Sequence, residues 1–389
     1  MPKTISLNTP LSDFLARLAS FEPTPFPVLS LYLNLQPNDR GRDSYDAFLR
    51  KAFDEEMRSF EAGSPERDSF AADVGLIRKY LADELVPSAN GLAIFACSGE
   101  NGFFEAIQLA VPVEEHWLFV SDEPHLYPLA RLDDQYPRYA AVLLDTNSAR
   151  VFVFALGRLE KEQSIQKVKT RRTSEGGWSQ ARYQRHIENY HAQHAKELAG
   201  LLDRVVREEG IDRIVLSGDN AVALPLIRAE LPKHLAEKVV DVLSLDVGTP
   251  VHAVLEETLE ALRRRDATTD REKVGEAIGA WRARGLGVVG PDETLRCLEM
   301  GQVEELLISA APQAVRPGAE LPAAPETKTS EDAGETPVPP LGRTDPQSVQ
   351  AADRLVTKAR QTGARITFIE DPRLLESVGG VAALLRFRV

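Results

Sequence analysis

The residues best suited to chemistry gather in one short run, Glu175-Gly176-Gly177-Trp178-Ser179-Gln180-Ala181-Arg182-Tyr183-Gln184-Arg185. Adjacent glycines reach backbone conformations closed to other residues, so the pair marks a loop tip able to press close against another molecule. Lys167, Lys169, Arg171 and Arg172 lie just upstream of the tip, and Arg182 and Arg185 just downstream. Glu175 is the one acid among them, in a chain whose formal net charge is −13. A basic, glycine-tipped finger on an acidic protein is suited to contact with a polyanion. Trp178 adds to this, because an indole beside tip glycines is costly to expose unless it stacks on something, such as a base.

The elements around the finger must hold it. Tyr139–Asp145 and Ala149–Phe154 flank Thr146-Asn147-Ser148 and read as a hairpin, and a further strand near Gly157–Val168 leads into the basic run. Ser179–Glu209 is a long helical pattern ended by Gly210. Ile211–Ser217 and Val239–Asp246 read as strands, and helices fill 250–284. Strands alternating with helices around apolar runs predict an α/β sandwich.

At 389 residues the chain exceeds one ordinary core. Residues 1–134 form an N-terminal α/β unit of unassigned role. It has a helix opening at Thr9-Pro10, a strand at Pro27–Leu35, helices at about 42–61 and 65–86, and strands at Gly91–Cys97, Phe103–Val111 and Trp117–Val120. The middle unit takes 135–270 and the third 271–389. The Pro-rich stretch 312–345 interrupts the third unit, and its composition predicts a disordered loop.

The bulk composition, 43% apolar and 27% charged, is that of a soluble globular protein. No apolar run reaches the length of a membrane span, and the N-terminus lacks the apolar core of a secretory signal. With only Cys97 and Cys297, each in an apolar segment, a disulfide framework and a cysteine zinc site are excluded. A reducing, cytoplasmic setting fits.

Two other patterns carry less. Gly285-Leu286-Gly287-Val288-Val289-Gly290 has the spacing of a dinucleotide fingerprint, but it follows a helical pattern with no βαβ unit around it. It reads as a helix stop and a turn into a helix at Pro291-Asp292. His186, His191 and His194 lack a fourth ligand and suitable spacing, so they read as polar positions on a basic helix face. His116, His125, His234 and His252 are scattered. No metal or other cofactor is expected.

The finger resembles, without gaps, the tip of the archaeal and eukaryotic class I release factors. There the run reads Gly-Gly-Gln-Ser-Ala-Leu-Arg-Phe-Ala-Arg, and here it is Gly176 to Arg185. Two further segments agree in chain order. Asp292–Ser309 resembles the opening of those factors' third domain, and Gly379–Phe387 resembles the closing strand of release factors and pelota. The peptidyl-tRNA hydrolases of ribosome quality control carry a similar Gly-Gly-x-x-Gln variant.

The resemblance implies three α/β domains. The middle one is RNase-H-like and bears the finger, and the third resembles kink-turn-binding ribosomal proteins. It implies a place, the ribosomal A site with the finger in the peptidyl-transferase centre, and a reaction, hydrolysis of peptidyl-tRNA. Gly176, Gly177 and Gln180 would then be catalytic. Lys167, Lys169, Arg171, Arg172, Trp178, Ser179, Arg182 and Arg185 would contact rRNA or tRNA, and a translational GTPase is an implied partner. Two departures matter. Trp178 stands at the family's glutamine, with Gln180 two residues on, and residues 1–134 hold no match to the stop-codon-reading signature. Codon-independent release, as in ribosome rescue, is the reading that survives. The alternative is a non-catalytic hibernation factor occupying the A site with the same fold.

Overall fold

The computed structural model describes residues 3–4, 11–37, 45–99, 102–166, 179–219, 222–318 and 346–388. The chain divides into two compact units, 1–135 with 267–389, and 136–266. Three sheets carry the fold, two in the first unit and one in the second. The architecture is mixed α/β, as the alternating apolar runs predict.

One sheet of the first unit is built from β1 (Lys3–Thr4), β2 (Val28–Asn34), β3 (Gly91–Cys97), β4 (Phe103–Leu109) and β5 (Trp117–Ser121). Its strand order is β1-β4-β3-β2-β5. The helices are α1 (Leu11–Ala19), α2 (Tyr45–Ser59), α3 (Pro65–Asp83) and α4 (Tyr127–Gln135). Period-two alternation decides which side chains meet which helices. Leu29, Leu31 and Leu33 of β2 pack with Leu49 and Phe53 of α2 and with Phe70, Val74 and Ile77 of α3. Tyr32 meets Phe95 edge-on at 5.9 Å between ring centroids, and Phe95 meets Phe14 of α1 at 6.1 Å. Helix α4, absent from the sequence reading, buries Tyr127, Leu129, Ala130 and Leu132.

Asp73 of α3 is fully buried. Ser98 Oγ donates to its Oδ1 at 2.6 Å, while Oδ2 has no partner among the described residues. Burial pushes this carboxyl from its ordinary 3.8 up to about 6. The folded state therefore favours the protonated acid, and above that pH it carries the cost of a buried, half-satisfied charge. Asp73→Asn is expected to raise stability at pH 7.5 by about 1–2 kcal/mol. The gain should fade as the pH falls through 6 towards 4, where the wild-type acid is itself neutral. Thermal unfolding of both proteins across this range checks it; a lower midpoint for the variant at pH 7.5 contradicts it.

The second unit holds β6 (Tyr139–Leu144), β7 (Ser148–Ala155), β8 (Arg158–Gln166), β9 (Ile214–Gly218) and β10 (Val239–Leu243). They form one sheet in the order β10-β9-β6-β7-β8. β6, β7 and β8 form a meander in which each strand runs antiparallel to the next, and β9 and β10 add in parallel beyond β6. Ala140, Val142 and Leu144 face Leu198, Leu202 and Val205 of α5 (Ser179–Glu208) and Leu224 and Ile227 of α6 (Ala223–Glu230). The short α7 (Lys233–Ala236) buries Leu235. The alternate residues Tyr139, Ala141 and Leu143 face Val254, Leu259 and Leu262 in the first half of α8 (Val251–Arg282).

The remaining sheet belongs to the first unit. It comprises β11 (Gly287–Val289), β12 (Val303–Ser309), β13 (Arg365–Ile369) and β14 (Val381–Leu385), with helices α9 (Pro291–Glu299) and α10 (Pro346–Thr362). The order β11-β14-β12-β13 mixes parallel and antiparallel pairing. The glycine-rich run 285–290 is more than a turn, which corrects the sequence reading. Gly287–Val289 form an edge strand antiparallel to β14, and Gly290, at φ 83°, opens α9. β11 and β12, joined through α9, both run antiparallel to β14 and so parallel to each other, a split βαβ unit that the sequence reading did not expect there. Asp292 and Glu293 in the first turn of α9 nevertheless oppose a phosphate.

The Pro-rich stretch also departs from expectation at its start. Pro312–Ala314 form a 3-10 turn, Val315 is buried, and the Gly318 N–H donates to Asp292 at 2.8 Å. Residues 319–345 lie outside the described residues. Gly380 explains why its motif needs glycine: φ is +82°, and an added Cβ would fall 2.3 Å from the Ala314 carbonyl oxygen. Among the described residues no helix is long and apolar enough to cross a membrane.

Candidate functional site

The connection between β8 and α5 carries the candidate chemistry. β8 ends at Gln166 and α5 begins at Ser179. Lys167, Lys169, Arg171, Arg172, Gly176, Gly177 and Trp178 lie outside the described residues. Ser179 and Gln180 are the first two residues of α5, and Arg182 and Arg185 fall within its first two turns. The backbone N–H groups of that first turn have no carbonyl partner within the helix, and the helix dipole adds partial positive charge there.

The elements on either side of the finger are pinned at their far ends. Arg138 pairs with Glu160 of β8 at 2.7 Å and with Glu209, just past α5, at 2.7 Å. Lys161 of β8 donates to Glu209 at 2.8 Å and Glu208 at 3.2 Å. The hydrogen bond from Lys161 holds the Glu209 carboxyl below its usual range despite the opposing effect of burial. Gly210, at φ 61°, ends the helix, with the Ile211 N–H closing on the Val206 carbonyl at 3.0 Å.

Near the finger, the β6–β7 turn is built on Asp145. Its carboxylate accepts from the Asn147 N–H at 2.6 Å, the Ser148 N–H at 2.7 Å and Ser148 Oγ at 2.9 Å. Burial pushes this acid up, but these donors outweigh it and, with His194 nearby, hold it below its ordinary range. Register places Ser148 opposite Gln166, the last residue of β8, so this turn sits where the finger leaves the sheet.

His194 is a correction. It is buried within the middle unit and does not stand on a solvated face. The signal was available, since 194, 198 and 202 share one helical stripe with Leu198 and Leu202. It is the first buried side chain among those described in α5. Gln180 lies about 20 Å further along the helix axis at 1.5 Å per residue. His191 is half-buried, and the His186 side chain is outside the described residues. Among the described residues no group of three His, Cys, Asp or Glu side chains could hold a metal ion.

In the first unit the sequence reading missed His125. It is buried, stacks on Phe119 at 3.6 Å between centroids, and reaches Asp353 of α10 at 3.2 Å from Nδ1. Asp353 also accepts from the Leu126 and Tyr127 N–H groups at 2.7 and 3.0 Å. The geometry is that of a structural clasp between α10 and the loop before α4.

Comparison with known proteins bears on this geometry. Residues 124–263 match the sequence profile of bacterial archaeo-eukaryotic release factor family 10, and residues 272–389 match eRF1 domain 3. Peptide chain release factor subunit 1 of Thermoplasma acidophilum is 23% identical over 385 residues, covering 92% of this chain and 90% of its own. The same factor from Archaeoglobus fulgidus is 23% identical over 346 residues, covering 83% and 84%. The chain is homologous to the archaeal release factors. The solved archaeal translation termination factor aRF1 aligns over 97% of each chain at 17% identity, with a TM-score of 0.26. In this release-factor homologue the first match takes in the whole β8–α5 connection. The second takes in α9, β12 and the Gly379-Gly380 strand entry.

Proposed function

We propose that this release-factor homologue is a codon-independent peptidyl-tRNA hydrolase acting on the ribosome in rescue or quality control. One observation carries the reading. Gly176 and Gly177, followed by Gln180 in the first turn of α5, occupy the β8–α5 connection of the family-matched middle unit. In the peptidyl-transferase centre the protein needs to do little beyond placing a water and shaping the site. The Gln180 amide, which both donates and accepts and stays neutral, places the water. An unpartnered N–H of the α5 first turn stabilises the developing oxyanion. Gly176 and Gly177 permit close backbone approach, and Trp178 stacks on a base. The partners are peptidyl-tRNA, rRNA and a translational GTPase, the place of action is cytoplasmic, and no cofactor is required.

Trp178, standing where the family has glutamine, favours a second reading: an A-site-bound hibernation factor that protects ribosomes without chemistry.

Both readings require the basic island to contact RNA, and salt tests it. Ribosome affinity in a pelleting assay should fall steeply with salt despite the acidic net charge. Replacing Lys167, Lys169, Arg171 and Arg172 with alanine should flatten the log–log slope by about 3, at roughly 0.7 per phosphate contact. A quadruple variant with the wild-type slope contradicts the assignment.

A further inference from the structure

A sheet edge leaves a row of backbone N–H and C=O groups open to pairing, and proteins blunt such edges with charge, brevity or cover. Among the described residues the edge strands follow this rule with one exception. β1 spans two residues, and β11 spans three, all buried. β8 carries Arg158, Glu160, Lys161 and Glu162, and β10 carries Asp241. β13 carries Arg365, and the Asp134 carboxylate accepts from its Phe368 N–H at 3.2 Å. β5 has none of these devices. Trp117-Leu118-Phe119-Val120-Ser121 holds no charged residue, each position is half-buried, and among the described residues the strand pairs only with β2.

The two faces of β5 differ. Leu118 and Val120 join the apolar core beneath α2 and α3. Trp117 and Phe119 lie on the other face, their rings stacked at 5.2 Å between centroids. There Trp117 borders a cleft whose walls include Glu114, Glu115, Tyr127 and Arg131. Arg131, the one arginine in that lining, is held by Glu114 at 2.9 Å and by Glu370 at 3.4 Å, which leaves the cleft negative. Asp122 and Glu123 follow the strand directly, so acids stand at both of its ends.

We propose that the open edge of β5 takes up an extended segment of a partner protein as an added strand, apolar on one face and basic on the other. Backbone pairing along Trp117–Ser121 supplies affinity, and alternate side chains choose the partner. On the α2 side the added strand's apolar residues continue the row of Leu118 and Val120. On the opposite side a lysine or arginine reaches over the Trp117 ring towards Glu114 and Glu115. Asp122 and Glu123 attract a further cation at the far end. The same acids reject a second copy of this chain, because antiparallel self-pairing centred on Phe119 sets Glu115 of each copy against Glu123 of the other. The edge is independent of the finger and of ester hydrolysis.

The test is fluorescence anisotropy of a labelled Lys-Val-Lys-Val-Lys-Val-Lys peptide with the full chain at low ionic strength. Its backbone-N-methylated form has the same charge and no N–H to pair, and should bind at least about tenfold more weakly. Glu115→Gln/Asp122→Asn/Glu123→Gln should weaken binding of the unmodified peptide about tenfold, a difference that closes as salt rises. Amide hydrogen exchange across Trp117–Ser121 should slow when the peptide binds, which attraction between charges alone would not produce.

Equal binding of the two peptide forms overturns the proposal, since it means that the acidic chain attracts any cation. Unchanged exchange across Trp117–Ser121 at saturating peptide overturns it as well. Equal affinity of the triple variant and the wild type removes the basic partner. A dimer in sedimentation equilibrium that the peptide dissociates assigns the edge to a second copy of the chain instead.

Discussion

Replacing Gly176 or Gly177 by alanine is expected to lower single-turnover peptide release about 10²–10³-fold and leave thermal unfolding unchanged. A methyl group at either position would hold the tip off its target or exclude a positive φ. A displacement of about 1 Å is enough for a loss of that order. Stability should be indifferent, because the middle unit's core draws on β6, β7, β9, α5 and α6. Release at the wild-type rate by both variants would remove the finger from the mechanism.

Much of what frames the finger is legible in the amino-acid sequence. The apolar runs Tyr139–Asp145 and Ala149–Phe154 on either side of Thr146-Asn147-Ser148 and the long helical pattern ending at Gly210 correspond to β6, β7 and α5 within a residue or two. Such signals survive because burial imposes them directly, on both faces of β6. Three features are not legible there, each for a physical reason. β11 is only Gly287–Val289, too short to show a period, and its strand character comes from β14, which lies nearly a hundred residues later. α4 opens on Tyr127-Pro128 and carries the near-run Leu129-Ala130-Arg131-Leu132, a mixed signal that packing resolves. His125 and Asp353 are 228 positions apart, and only the tertiary fold joins them.

The site is legible as a motif and less so as an arrangement. Spacing identifies the run from Gly176 to Arg185, while nothing local announces that the Asp145 turn stands opposite the end of β8. His194 shows the reverse failure. Its polar type suggests solvent, but its place on the Leu198–Leu202 stripe decides burial.

Trp178 and Gln180 should part under mutation, and their difference separates chemistry from occupancy. Trp178→Ala removes a stacking ring worth about 1–3 kcal/mol, or about 5–150-fold in ribosome affinity, with release at saturation little changed. Gln180→Ala should bind almost as the wild type does, because a water-placing amide contributes mainly in the transition state. The most direct measurement is therefore single-turnover release of peptide from a purified peptidyl-tRNA–ribosome complex, at saturating wild type and at saturating Gln180→Ala. A hydrolase predicts release by the wild type and a rate at least about 10²-fold lower for the variant at equal occupancy. No release by a wild-type protein that still pellets with the ribosome, or equal rates for the two proteins, would contradict it.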